Sequence, residues 1–165
     1  MLSVAKSVDR LLVQGQTMRG LAELPDARLH ATASFSAWSP AEHLDHSLRV
    51  WTSIVKRITT PNLDPLPHGM KFLGRIVLAF GWIPRGVGKA PEKMVGGRAT
   101  GPELLTIVDR AQDAVRALSQ DEVAKQFAPI VPHPVFGGLN ASEALRFVVV
   151  HNEHHLKIVR DILKT

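Results

Sequence analysis

The chain has 165 residues, 20 Lys and Arg against 15 Asp and Glu for a formal charge of +5, and neither cysteine nor tyrosine. Disulfides, thiolate metal ligands and covalent catalysis through either residue are thereby excluded, and any metal must take nitrogen and oxygen ligands. The length suits one domain over residues 1–165 that buries about two-thirds of its surface. The longest apolar stretch, Ile76 to Ile83, is far too short to span a membrane, and Lys6, Asp9 and Arg10 fall too early for a signal-peptide core, so a cytoplasmic protein is expected.

In chain order, a first helix is predicted from about Leu2 to Leu24, with Val4, Val8, Leu11, Leu12, Met18 and Leu21 inward, Gly15 and Gly20 as weak points, and Pro25 and Asp26 ending it. The second helix has a well-marked start. Ser39 as N-cap, Pro40 at the first helical position and Glu42 at the third make a capping box, and Pro61 sets the far limit. Ala41, Leu44, Leu48, Trp51, Val55 and Ile58 form one core stripe of this helix, and His43, His46, Val50 and Ile54 form an adjoining one. His43 lies inside the apolar arc and His46 at its edge, near Glu42 and Arg49; periodicity leaves the two as equal candidates for an inward-facing ligand.

Pro61 to Pro67 is too rich in proline for regular structure. A short accessory helix follows, from about His68 to Trp82, with Phe72, Leu73, Ile76, Leu78, Ala79 and Phe80 available for burial. Pro84 to Gly101 reads as a Gly/Pro-rich loop over one end of the bundle, and Pro102 opens a third core helix bearing Leu105, Val108, Ala111, Val115 and Leu118. The basic residues are scattered and no aromatic platform accompanies them, which disfavours nucleic acid as a partner. Within the loop, the denser set Arg85, Lys89, Lys93 and Arg98 could draw an anionic substrate toward a site.

The last helix begins at Asn140, which makes a second capping box with Glu143, and runs nearly to Thr165. It carries His151 and His155. Residues i and i+4 of an α-helix differ by roughly 40° of rotation and one turn of rise, so both rings project from one face. Ala144, Phe147, Val148, Ile158 and Ile162 surround them, while Arg146, Glu153, Lys157, Arg160 and Asp161 gather opposite. A lone histidine on such a face is more often a hydrogen-bonded core residue. A pair needs either polar partners or a shared cation, because an unsatisfied buried imidazole costs a few kcal/mol.

Trp38 followed at the eighth position by His46, then His133-Pro134-Val135-Phe136-Gly137-x-Leu139, then His151-x-x-x-His155, resembles the DinB-like metalloenzyme superfamily. The match spans most of the chain. In that family the histidine eight residues after the tryptophan joins the two C-terminal histidines on the metal, so the resemblance implies His46, His151 and His155 as ligands and breaks the tie against His43. It also implies an all-α fold, a four-helix bundle of the DinB-like type with the accessory helix and the Gly/Pro-rich loop added. Many relatives have a glutamine three residues after the last ligand, where this chain has Ile158.

Three imidazoles leave a coordination position for water or substrate, as in catalytic rather than structural centres, and suit zinc or nickel best among the divalent transition ions. Candidates to move a proton beside them are Glu42, Asp45, Glu153, His154 and His133, of which His154 flanks the ligand stripe and Glu153 falls on the polar face. Characterised relatives include thiol-dependent transferases and isomerases. The expectation is therefore a metal-dependent enzyme, a transferase, isomerase or hydrolase, acting on a small-molecule substrate with a low-molecular-weight thiol among the candidates, and assembling as a homodimer. The alternative is a non-enzymatic metal-binding stress or sensor protein.

Overall fold

The computed structural model of the chain describes residues 3–86 and 90–165; the expected helix start at Leu2 and the basic residue Lys89 lie outside them. Among the described residues the chain is mostly helical: α1 (Val4–Ala22), α2 (Asp26–Leu29), α3 (Pro40–Thr59), α4 (Phe72–Phe80), α5 (Gly101–Arg116), α6 (Gln120–Lys125) and α7 (Ala141–Ile162). A 3₁₀ turn, Glu92–Met94, interrupts the long loop, and a two-stranded antiparallel hairpin, β1 (Val131–His133) and β2 (Gly137–Leu139), precedes α7. The expected all-α character holds.

The four long helices start where side chains can cap them. Ser39 and Glu42 form the expected capping box on α3, and Asn140 and Glu143 do so on α7. A third box, Thr100 with Glu103, starts α5 just before Pro102. Each supplies hydrogen-bond partners to amides that the helix itself leaves open, worth about 1 kcal/mol per cap. α1 packs on α5 and α7, and α3 packs on the same two helices, so the core lies between all four. Leu11, Met18, Leu48, Trp51, Leu104, Val108, Leu145 and Val148 fill it.

Several expectations shift. The chain does not unwind after Pro25: Asp26–Leu29 adds one more helical turn, whose Leu29 is fully buried. On α5 it is Leu104 that is buried and Leu105 only partly so, because the helix starts with Gly101 tucked against Ala22. Gly15 is a packing position rather than a weak point, since a Cβ there would overlap the Gln112 side chain, and its absence lets α1 and α5 approach closely. α4 buries Gly74, Val77 and Leu78 but leaves Phe72, Leu73 and Phe80 largely exposed. The hairpin and α6 have no counterpart in the helical periodicity. The hairpin braces the start of α4, with the Lys71 amide donating to Phe136 O at 2.7 Å, and Arg146 Nε of α7 donates to Leu78 O at 2.7 Å to hold the same helix.

Candidate metal centre

Because Ser39 fixes the start of α3, the register of His43 and His46 is fixed as well, and both rings turn into the interior. His151 and His155, one turn apart on α7, face them across the α3–α7 contact. His46, His151 and His155 are all buried, and each offers a ring nitrogen within 4.8 Å of the others. His46 Nε2 stands 3.1 Å from His151 Nε2. That separation is close to the roughly 3.3 Å edge spanned by two metal–nitrogen bonds of about 2.0–2.1 Å at a tetrahedral angle. His43 joins the cluster differently, with its Nδ1 2.9 Å from His155 Nδ1 and its Nε2 2.9 Å from Ser36 Oγ.

Electrostatics keep these rings neutral, the form that can offer a lone pair to a cation. Burial, reinforced by neighbouring His46 and His154, lowers the His43 pKa to about 4. Burial also lowers that of His46, against the opposing pull of the Met94 carbonyl and the Asp45 charge. His151 and His155 lie far below the usual histidine range, first through burial and then through the surrounding imidazoles. The donor set therefore fits a divalent ion. His151 Nδ1, the ring nitrogen that does not face His46, is buried with no hydrogen-bond partner among the described residues.

Trp38 walls one side of the cluster. Its ring centroid lies 5.0 Å from that of His46 and 5.4 Å from that of His43, and it stacks on His155 at 6.2 Å with an interplanar angle of 20°. The long loop closes over α3 at the same level. His46 Nδ1–H donates to the carbonyl of Met94, and the Gly97 amide donates to Asp45 Oδ2 at 2.7 Å. The sequence gives no sign of the Met94 contact, because the acceptor is a backbone carbonyl; the role of Trp38 as a wall could have been inferred from an aromatic one residue before the N-cap.

None of the residues named as proton movers is idle. Glu42 accepts from the Ser39 amide and hydroxyl at 2.8 and 2.7 Å, and Asp45 accepts from Arg49 Nε at 2.6 Å as well as from Gly97. Glu153 pairs with Arg160 at 3.3 Å on the outer face. His154 Nδ1 donates to Ile83 O at 3.0 Å, so it holds the loop rather than a ligand ring. His133 sits in the hairpin, where its Nδ1 accepts the amides of Val135 and Phe136 at 3.2 and 3.0 Å.

Of the basic loop residues, Arg85 pairs with Asp161 at 2.6 Å. It also lines a cleft of about 320 Å³ beside α7, together with Trp82, Ile83, Val150, Glu153, His154 and Lys157. Arg98 lines a second cleft, with Asp45 and Arg49. No helix among the described residues is long and apolar enough to cross a membrane.

No curated protein and no solved structure matches the chain. The family model of the DinB superfamily matches residues 12–159, a span that includes the tryptophan and all three clustered histidines, and the chain belongs to that superfamily.

Proposed function

We propose that the protein is a metal-dependent enzyme of the DinB type, with its four long helices acting as a four-helix bundle that holds a divalent transition ion, zinc or nickel, on His46, His151 and His155. The observation that carries this reading is the convergence of three buried imidazoles, with one nitrogen of each within 4.8 Å of the others. When bound, such an ion supplies a Lewis acid and a position at which water or a thiol is held with a lowered pKa. The chain's own residues then do the rest. Trp38 shields one side from solvent, the Met94 carbonyl orients His46, and the cleft beside the His155 turn of α7 brings Lys157 and the Asp161-paired Arg85, with the Arg160-paired Glu153, to an anionic small molecule. A low-molecular-weight thiol or a small anionic carbonyl compound is the substrate class this arrangement suits, in the cytoplasm, in a transferase, isomerase or hydrolase reaction.

A non-enzymatic sensor or stress protein is the second reading. It is favoured by one observation: Glu42, Asp45, Glu153, His154 and His133 are all committed to structural contacts. The test is elemental analysis of protein purified without a histidine tag, as wild type and as His151→Ala plus His155→Ala. One zinc or nickel per chain in the first and none in the second supports the metal site, and equal content in both overturns it. Cobalt-substituted protein titrated with glutathione-like thiols and small keto acids separates the readings, since a substrate-type ligand changes the cobalt spectrum and a closed binding site leaves it unchanged.

A further inference from the structure

Ser36 Oγ lies 2.8 Å from the carbonyl oxygen of Trp38 and 2.9 Å from His43 Nε2, and it also accepts from the Trp38 amide at 3.2 Å. A serine hydroxyl has one hydrogen. The Trp38 carbonyl can only accept, so that hydrogen goes to it, and the contact to His43 requires the imidazole to donate from Nε2. A neutral His43 that carries its proton on Nε2 has a bare Nδ1. The 2.9 Å contact between the two Nδ1 atoms then requires His155 to donate from Nδ1, which leaves His155 Nε2 as a bare lone pair.

The outcome parallels that at His46, where the Met94 carbonyl takes the Nδ1 hydrogen directly and leaves Nε2 bare. Two of the three clustered imidazoles thus have their tautomer set from outside by a backbone carbonyl, one directly and one through two side chains. Metal-ligating histidines depend on this kind of outer contact for ring orientation and basicity.

We infer that His43 and Ser36 are positioning residues for the metal centre, forming a relay from the Trp38 carbonyl that holds His155 in the tautomer with Nε2 available to the ion. The inference rests on the metal-binding reading above and extends it to two residues outside the ligand set. His43 does not touch the ion. It acts through His155, which explains how an imidazole one turn from the α3 ligand can be buried beside the cluster without being a fourth ligand.

The relay is tested on the full-length protein stripped of metal, by nitrogen NMR of the imidazoles, and on the same protein titrated with zinc. The expected spectrum has the His155 proton on Nδ1 in the wild type and a mixture of tautomers in Ser36→Ala, a change confined to a half-buried hydroxyl. His43→Leu, which cannot accept, should lose about 10- to 100-fold in zinc affinity, and His43→Asn, whose carbonyl can take the place of Nδ1, should recover most of it. A His155 proton on Nε2 in the metal-free wild type would overturn the inference. So would a folded His43→Leu that binds zinc as tightly as wild type. Failure of the metal reading is recognised separately, as a His155→Ala protein that still binds zinc with wild-type affinity.

Discussion

Gly96 lies so close to the first turn of α3 that a Cβ on it would overlap the carbonyl oxygen of Glu42. Only a residue without a side chain allows the loop to reach this position, and two contacts depend on the approach: the Met94 carbonyl on His46 and the Gly97 amide on Asp45. A Gly96→Ala substitution must move backbone away from backbone. The expected cost is about 1–3 kcal/mol of stability, as for other overpacked sites, together with a several-fold weaker zinc affinity because His46 loses its outer acceptor. Thermal unfolding of the metal-free variant and zinc titration check this; unchanged values for both would mean that the loop does not support the ligand.

The three ligands should be separable from their neighbour by single substitutions. His46→Ala, His151→Ala and His155→Ala are each expected to lower zinc affinity by more than the ~10–100-fold typical of outer contacts. His154→Ala, adjacent to His155 in sequence, should stay within a few-fold of wild type, because its ring bonds to Ile83 O. Competitive titration with a zinc-binding dye gives the ranking, and a His154→Ala loss as large as that of His155→Ala would contradict the assignment.

The starts of α3 and α7 were legible in the sequence because capping boxes are local: Ser39 with Glu42 and Asn140 with Glu143 lie three residues apart and act on their own backbone. The inward turn of His151 and His155 followed from helical period alone. Choosing between His43 and His46 did not, since both rings are buried and their roles differ only in what lies across from them, Ser36 and His155 for one and Met94 and His151 for the other. The outward face of α4 was also hidden. Periodicity reports which residues are apolar, and whether Phe72 and Phe80 find a core depends on how Arg146 and the hairpin set the helix against α7.

That outward face leads to a prediction about assembly. Phe72, Ile76 and Phe80 recur every four residues along one side of α4; Phe72 is 78% and Phe80 81% exposed, far more than a lone surface phenylalanine needs to be. If the protein is a homodimer, this stripe is the surface that a second copy would cover. Phe72→Lys plus Phe80→Lys should convert a dimer to a monomer in sedimentation experiments while leaving helical content and zinc affinity within two-fold, roughly the spread expected of surface substitutions. A variant that remains dimeric would place the contact elsewhere.

His133 predicts a pH dependence of stability that can be isolated from that of the metal cluster. Burial lowers its pKa to about 4, and its Nδ1 accepts two backbone amides, which a protonated ring could not do. In the unfolded chain the same group titrates near 6.5. Between those values the unfolded state binds more protons than the folded one, so the contribution is complete above about pH 6.5, is lost progressively as pH falls toward about 4, and changes no further below that. The total is on the order of 3 kcal/mol. His133→Asn keeps a carbonyl oxygen where Nδ1 accepts the amides of Val135 and Phe136 but cannot be protonated. Urea unfolding of the metal-free wild type and variant at pH 7 and pH 4.5 should show a smaller loss for the variant, the remaining buried histidines contributing equally to both. Identical losses in the two proteins would show that His133 is not the group whose protonation opposes folding there.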